Sequence, residues 1–161
     1  MKAITIKQPW ASLIIEGIKD IENRTWATKY RGHILIHSSA KSDTKMERLT
    51  SSQWKTIRLN GLHENRLNEL NSAIIGSVEI VDCVVNHNSI WAEQTEGCCI
   101  MNGNCVGCHV DSVFCLARTG RKNGSITEKF TYNWILANPV KFENPILNVK
   151  GKLSLWNYEE L

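Results

Sequence analysis

The sequence predicts an α+β protein in which a mixed β-sheet is curled into a small β-barrel with helices at its side. Two observations support this fold class. Segments 2–7, 33–38 and 73–85 are rich in β-branched or other aliphatic residues and have the length of strands. The segments after Pro9 and after residue 44 instead carry their apolar residues at helical spacing. The order of strand, helix, strands, helix and strands is typical of α+β proteins.

Length and composition limit the class of protein. The 161 residues suit a single domain spanning 1–161, long enough to bury its own core. A net charge of +3 permits a nucleic-acid partner without requiring one. The N-terminus lacks the apolar region of a secretory signal, and no apolar run has the length of a membrane span. We therefore expect a cytoplasmic protein, or a nuclear one in a eukaryote, with no membrane partner.

The first forty residues are predicted to form strands around one helix. Lys2–Lys7 is a strand pattern, because β-branched residues alternate there. Pro9 fits the first turn of a helix, and one helical face follows it. That face consists of Trp10, Leu13, Ile14, Gly17 and Ile18. Lys19–Trp26 is predicted to be extended, and His33–Ser38 to be a strand.

A second helix is predicted in the middle of the chain, before the strongest strand. Thr44 and Glu47 have the spacing of a capping box. One helix face follows, formed by Met46, Leu49, Gln53, Trp54 and Ile57. Residues 61–70 are a candidate for a further short helix. Ala73–Val85 is the strongest strand pattern, and Gly76 within it indicates a bulge or a close backbone approach.

Regular patterns stop after Val85 and return near the C-terminus. Residues 86–129 are rich in Gly, Asn, Cys and charge, and we interpret about 92–129 as a Cys-rich insertion. A strand is predicted from Thr131 to Leu136, and strand-like alternation closes the chain over 145–158.

An unusual set of side chains follows the first helix. On an extended chain, Glu22, Arg24 and Trp26 lie on one face. The Arg guanidinium pairs with carboxylate, phosphate or a base edge, and Trp stacks on a base. This mixture predicts a pocket for a planar, polar, anionic guest. The alternative is a Glu22–Arg24 ion pair within the strand, with Trp26 packed beneath a helix.

The chain resembles the ASCH domain family, named for its homology to activating signal cointegrator proteins and related to the PUA fold. The resemblance covers 6–39, 73–84, 132–140 and 145–156, well over half of the chain. Its most specific motifs are QPWASL, GIKxxExRxW and YRG.

The resemblance implies a PUA-like β-barrel with a cleft carried by the first helix and the strand after it. The residues it implies in or beside that cleft are Gln8, Trp10, Lys19, Glu22, Arg24, Trp26, Tyr30 and Arg31. Gly32 and Gly151 are expected to serve turns or close packing rather than ligand binding.

Nucleic-acid binding, most of all RNA binding, is the function that the resemblance implies. Lys150 and Lys152 join the cationic residues of the cleft as candidates for phosphate contacts, with a single-stranded or modified base stacked on an aromatic ring. DNA is the alternative polymer. The basic run 116–125 is interpreted as a solvated loop. A protein-interaction module of a transcription or translation complex is a third hypothesis.

A hydrolase acting on RNA or on a modified nucleoside is the alternative function. Some small ASCH proteins resemble amidohydrolases that act on acylated cytidine, and others are described as ribonucleases. The amidohydrolase pattern has a Lys, a Thr three positions later and a distant Glu. Here Lys19 occupies the Lys position, but Glu22 replaces the Thr and Thr25 is out of phase. Glu93 and Glu96 are candidates for the distant acid. Lys19 and Glu22 are the candidate acid–base pair, and we predict no amidohydrolase activity.

The cysteines outside the strong strand predict one structural zinc ion and no organic cofactor. Cys105-x-x-Cys108 is half of a tetrahedral site, which Cys98 and Cys115 would complete. Cys99 and His109 are alternative ligands. Free thiols or a redox-active pair are the other interpretations. Cys83 is interpreted as a small buried hydrophobe.

Two histidines share one face of the third predicted segment. His33 and His37 have the spacing of a base or metal pair. A strand His is more often hydrogen-bonded and partly buried, and we assign that role to both.

Overall fold

The computed structural model describes residues 1–43, 49–62, 70–95, 100–101, 104–105 and 130–159. Its strands are β1 (Lys2–Ile6), β2 (Ile21–Arg24), β3 (Gly32–Ser38), β4 (Ala73–Val85), β5 (Ile100–Met101), β6 (Asn104–Cys105), β7 (Tyr132–Ile146) and β8 (Leu155–Asn157). Its helices are α1 (Trp10–Ile15) and α2 (Ser51–Leu59). Across these ranges, neither helix has the length and apolar character to cross a bilayer.

Six strands form one mixed sheet, in the order β2-β7-β4-β3-β1-β8. β1 runs parallel to β3, whereas the other neighbouring pairs of this sheet are antiparallel. The sheet curls so far that Arg24, on edge strand β2, donates from Nη2 to the carbonyl oxygen of Thr5 on β1, at 3.0 Å. This half-barrel with helices at its side confirms the predicted α+β, PUA-like fold class.

Helix α1 is held by its buried face rather than by its length. It has six residues, too few for a helix to be stable alone. Ala11, Ile14 and Ile15 pack into the main core beside residues from β1, β3 and β4. Leu13 faces a second cluster that contains Trp91. Burying side chains of this size contributes roughly 1.5–3 kcal/mol each, which is why the short helix is stable in this position.

Gly76 lies where β4, β7 and α1 approach one another closely. The pairing register shifts between Ile74 and Gly76. A Cβ atom at Gly76 would meet the carbonyl oxygen of Val140 and would lie 2.8 Å from Ile15 Cδ1. The predicted bulge or close backbone approach is confirmed, and any larger residue here would push α1 and β7 away from the sheet.

Helix α2 begins later than the sequence pattern predicts. Thr50 and Gln53 form the capping box, with Gln53 N to Thr50 Oγ1 at 3.2 Å and Thr50 N to Gln53 Oε1 at 2.9 Å. Leu49, which we predicted to be helical, therefore precedes the helix. The predicted start at residues 44–47 lies outside the described residues, as does most of 61–70.

The C-terminal prediction is wrong in part. β7 continues to Ile146, far past the predicted end at Leu136, and only Leu155–Asn157 forms a strand after it. Between them, residues 147–154 form a segment without strand pairing, which we call the rim segment. Asn148 and Ser154 both have φ of 59°, a left-handed backbone that interrupts a strand. The alternation of apolar and polar residues in the sequence gives no sign of such turns.

The ends of the segment that contains the cysteines meet at one place. Thr131 N donates to Thr95 Oγ1 at 2.9 Å, so the residue before β7 lies beside Thr95, ten residues after the end of β4. Asn86 binds the Thr95 backbone from the end of β4, with Thr95 N to Asn86 Oδ1 at 2.7 Å. β5 and β6 pair with each other and, within the described residues, do not join the six-stranded sheet.

Candidate functional site

A cleft of about 880 Å³ opens between the first helix, the ends of β1 and β2, and the rim segment. We call it the main cleft. Its charged lining residues are Lys7, Arg24, Lys150 and Lys152, together with Glu22 and Asp43. Four cations thus face two carboxylates, and the main cleft is electropositive. Such a surface suits an anionic guest.

A second cavity of about 440 Å³, the side pocket, lies beside the main cleft. Its lining includes Trp91, Glu93 and Lys19. Trp10, Glu22 and Asp43 line both cavities and form the wall between them. Trp10 is fixed in that wall because its Nε1 donates to Asp43 Oδ2 at 3.2 Å.

Next to Trp10 and Asp43 in this wall, Glu22 pairs with two cationic side chains, those of Lys19 and Arg24. Lys19 Nζ donates to the carbonyl oxygen of Ile21 and, at 3.1 Å, to Glu22 Oε2. Glu22 Oε1 lies 3.0 Å from Arg24 Nε. The side chains of Lys19, Glu22 and Arg24 are 6%, 11% and 25% exposed. Since Glu22 neutralises two neighbouring cations out of water, removing it would leave buried charge without a partner.

Arg24 connects the main cleft to the sheet. Its Nε is buried without hydrogen-bond alignment to Glu22, so the attraction there is ionic. Its Nη2 donates to the carbonyl oxygen of Thr5. Thr5 is the residue after Ile4, which is the last residue of β1 that pairs with β8. The Nη1 donors have no acceptor among the described residues, and Arg24 lines the main cleft. The guanidinium therefore closes the half-barrel and still offers donors to a guest.

Four predicted cleft residues line neither cavity. Trp26 packs edge-on against Trp134, with ring centroids 4.6 Å apart, because β2 ends at Arg24 and alternation stops there. The intrastrand Glu22–Arg24 pair of the alternative interpretation is present and also lines the main cleft, while Trp26, expected there beneath a helix, packs against Trp134 of β7. The other three are Gln8, Tyr30 and Arg31.

Gln8, Tyr30 and Arg31 are each engaged by the protein itself. Gln8 is fully buried; its Oε1 accepts from Ser12 N at 3.1 Å, where helix α1 has no other side-chain cap. Tyr30 OH donates to the carbonyl oxygen of His33 at 2.9 Å. Arg31 Nη2 lies 2.6 Å from Asp82 Oδ1. Their part in binding stays a prediction of the sequence.

The floor of the main cleft contains residues that the sequence did not mark as functional. His37 is buried, and its Nε2 lies 2.9 Å from the carbonyl oxygen of Val149. A carbonyl oxygen only accepts, so Nε2 carries the proton, and the buried Nδ1 has no hydrogen-bond partner among the residues that the structure describes. Burial lowers the pKa of His37, and the hydrogen bond to Val149 offsets part of this effect. The predicted hydrogen-bonded role holds for His37, whereas His33 is exposed.

Gly151 packs directly on this floor. A Cβ atom there would lie 2.6 Å from His37 Cε1 and 2.8 Å from Thr5 Oγ1. Thr5 Oγ1 also donates to the carbonyl oxygen of Lys152 at 3.0 Å. The close-packing role predicted for Gly151 is confirmed. The close approach at Gly151 and the Thr5 hydrogen bond keep the rim segment, which carries Lys150 and Lys152, against the sheet. The sequence signal was a glycine between two lysines, which could equally have marked a solvated turn.

The cysteine predictions are largely outside the described residues. Cys98, Cys99, Cys108, Cys115 and His109 lie there, and Cys105 is known only as part of β6. Among the side chains that the structure describes, no group of three His, Cys, Asp or Glu could hold a metal. Zinc stays a prediction, tested by elemental analysis of protein purified without chelator.

Cys83 is separate from that cluster. It lies on β4, half-buried, and its Sγ accepts from Thr28 N at 3.4 Å. Burial raises the pKa of its thiol, with small opposing contributions from the Thr28 hydrogen bond and from Arg31. A thiol held in its protonated form is a poor nucleophile, so Cys83 is a packing residue.

Comparison with known proteins identifies relatives of this arrangement. The family model of the ASCH domain matches residues 4–146, and Lys150 and Lys152 lie beyond the last matched residue. Activating signal cointegrator 1 from Homo sapiens is 36% identical over 83 residues, which are 50% of this chain and 14% of that protein. Its Mus musculus counterpart is 35% identical over 83 residues, with the same shares. The chain thus corresponds to a small part of these relatives.

Proposed function

Because the chain belongs to the ASCH domain family, we propose that it binds single-stranded nucleic acid, RNA above all, in the main cleft. The observation that carries the proposal is the convergence of cations from separate parts of the chain. Lys7 follows β1, Arg24 ends β2, and Lys150 and Lys152 come from the rim segment. Phosphate groups are the anions that such a row of cations fits best.

The three lysines of the main cleft are available to a ligand, unlike some other cations on the surface. Lys7, Lys150 and Lys152 are exposed and have no carboxylate within ion-pair distance among the described residues. Arg31 and Lys141, in contrast, are paired with Asp82 and Glu16. Unpaired ammonium groups release counterions when phosphate binds, which makes the affinity dependent on salt.

Apolar groups beside these cations supply the contact for a base. The indole of Trp10 is half-buried and anchored through Nε1, so little conformational entropy is lost when a base stacks on it. Leu153 is 93% exposed on the rim segment and lines the same cleft. A charged groove with an aromatic platform is the usual design for binding single strands.

Binding of short labelled RNA and DNA, followed by fluorescence anisotropy, tests the proposal. The double variant Lys150→Gln/Lys152→Gln should weaken binding roughly tenfold and reduce the salt slope by about 0.7 for each phosphate that the protein no longer neutralises. Lys29→Gln/Lys55→Gln removes the same charge from residues that line neither cavity, and should leave both quantities unchanged. Absence of binding at low salt to every RNA and DNA tried would contradict the proposal.

Hydrolysis of RNA or of a modified nucleoside is the second candidate function. One observation favours it: Lys19 and Glu22 form a buried pair that lines the side pocket. Each is engaged by the other, and Glu22 by Arg24 as well, so proton transfer would have to break this chain of charges. Binding is therefore the first candidate. We predict that acetylated cytidine yields no free cytidine; release that disappears in Lys19→Ala would establish the enzyme.

The relatives suggest a setting for this binding. Their name describes a signal cointegrator, and we propose that the chain works beside protein partners of a transcription or translation complex. Pull-down with and without nuclease would show whether such partners are held through nucleic acid, as expected, or by the domain itself.

A further inference from the structure

The side pocket differs from the main cleft in the sign of its charge. It is lined by one cation, Lys19, and by three carboxylates, those of Glu22, Asp43 and Glu93. The two cavities share the wall formed by Trp10 with two of these carboxylates. A ligand that spans the wall would need an anionic part on one side and a part rich in hydrogen-bond donors on the other.

Two polar groups of the side pocket have hydrogen-bonding capacity that the described residues leave unused. Lys19 is buried and lines the pocket, yet the described residues accept only two of its three donors, at Ile21 O and Glu22 Oε2. Glu93 is exposed, and its carboxylate makes no hydrogen bond or ion pair with the described part of the chain. The pocket therefore offers one donor and one free carboxylate acceptor.

Two asparagine side chains hold the backbone of Glu93 in place. Glu93 N donates to Asn23 Oδ1 at 3.1 Å, and Glu93 O accepts from Asn133 Nδ2 at 3.1 Å. Asn133 is fully buried and also donates to Asn23 Oδ1, at 2.9 Å. Asn23 Nδ2 in turn donates to Trp91 O at 2.9 Å. These two amides position the loop before a ligand arrives, which lowers the cost of ordering it.

We propose that the side pocket accepts one unstacked base, cytosine or adenine, whose Watson–Crick edge bears an amino group beside an unprotonated ring nitrogen, while the adjoining phosphate lies in the main cleft. This inference rests on the proposed function and adds base selectivity to it. A carboxylate accepts from the amino group of cytosine or adenine, and the Lys19 ammonium donates to the neighbouring ring nitrogen. Uracil presents a carbonyl where those bases present the amino group, so it would face Glu93 oxygen against oxygen.

Oligonucleotide competition with a charge-neutral variant tests this selectivity. Labelled RNA oligomers of C, A and U, equal in length, are titrated at one salt concentration. The native chain should bind the C or A oligomer roughly tenfold more tightly than the U oligomer. Glu93→Gln has an amide that donates to a uracil carbonyl, so it should reduce this ratio to less than about threefold while U affinity holds or rises.

A matched control and two contrary outcomes complete the test. Glu143→Gln removes the same charge from an exposed residue of β7 that lines neither cavity, and should leave the ratio as in the native chain. Equal binding of all three oligomers by the native chain, or an unchanged ratio in Glu93→Gln, would overturn the side-pocket assignment alone. Absence of binding to any oligomer would overturn the proposed function and this inference with it.

Discussion

Two stretches of this chain both combine cationic and apolar side chains, but their surroundings differ. Residues 26–31 contain Trp26, Tyr30 and Arg31, whereas the rim segment contains two lysines and Leu153. In the first stretch each of those side chains contacts the protein itself, a tryptophan, a backbone carbonyl or a carboxylate. In the rim segment the backbone is anchored, and the two lysines and Leu153 are exposed, with Lys152 Nζ 5.6 Å from the centroid of the Trp156 ring. Residue type alone therefore does not identify a binding surface; the partners of each side chain do.

The largest change in stability that distinguishes residues 26–31 from the rim segment is expected at Trp26. Trp26→Ala removes an aromatic contact with Trp134 and should lower the free energy of unfolding by about 2–3 kcal/mol, less than for a fully buried Trp. Affinity of the folded protein for RNA should not change, since Trp26 lines neither cavity. Urea unfolding and anisotropy measure the two quantities. A stable variant that has lost RNA binding would reverse the roles assigned here.

The next effect is expected where the rim segment meets the sheet. Gly151→Ala places a methyl group against His37 and Thr5, so the segment must move and stability should fall by about 1–3 kcal/mol. Affinity for RNA should fall as well, by roughly tenfold, because Lys150 and Lys152 move with it. Gly61→Ala is the control for RNA affinity: a Cβ at Gly61 has no neighbour within 4 Å, but its φ of +71° strains an alanine, so stability should fall by about 1 kcal/mol while affinity is unchanged. RNA affinity equal to that of the native chain would contradict this account.

The stability of the protein should depend on pH because of His37, which is buried beneath the rim segment. Burial holds the pKa of His37 below its usual value near 6.5, despite the hydrogen bond to Val149. The unfolded chain therefore takes up the proton first as pH falls. The contribution is complete above about pH 6.5 and is lost progressively below it. Urea unfolding at pH 7.5 and pH 5.5 should show a smaller loss in His37→Gln than in the native chain; equal losses would exclude this origin.

The smallest effect is expected at Arg31. Its pair with Asp82 is short, but the two side chains are 41% and 51% exposed, so solvent screens it. Arg31→Gln should change the free energy of unfolding by less than about 1 kcal/mol and leave RNA affinity unchanged. The same removal of charge at Lys152 should weaken binding. Loss of affinity in Arg31→Gln equal to that in Lys152→Gln would extend the interface to residues 26–31.

Prediction from the sequence succeeded where local pattern and packing agree. Strand β4 was predicted with the observed ends, and the face of α1 was correct for Leu13 and Ile14, because burial against a sheet imposes the period. It failed for the start of α2, which Thr50 and Gln53 cap, so that Leu49 precedes the helix; the earlier pattern Thr44-x-x-Glu47 lies outside the described residues. Of the candidate site, Trp10, Lys19, Glu22, Arg24 and the two rim lysines line the cavities. Thr5 entered only through contacts distant in sequence, whereas His37 and Glu93 were named from the sequence but not as residues that line these cavities.

By itself the sequence determined the fold class, the family and the supply of cations and aromatic rings. These follow from hydrophobic period and from short motifs, which are local properties of the chain. Only the tertiary structure decided which charges are neutralised and which face solvent. Arg31 finds Asp82 on β4, whereas Lys152 has no carboxylate partner among the described residues. That outcome depends on how β4 and the rim segment are placed by a sheet whose pairings join residues far apart in the chain, and no local pattern encodes it.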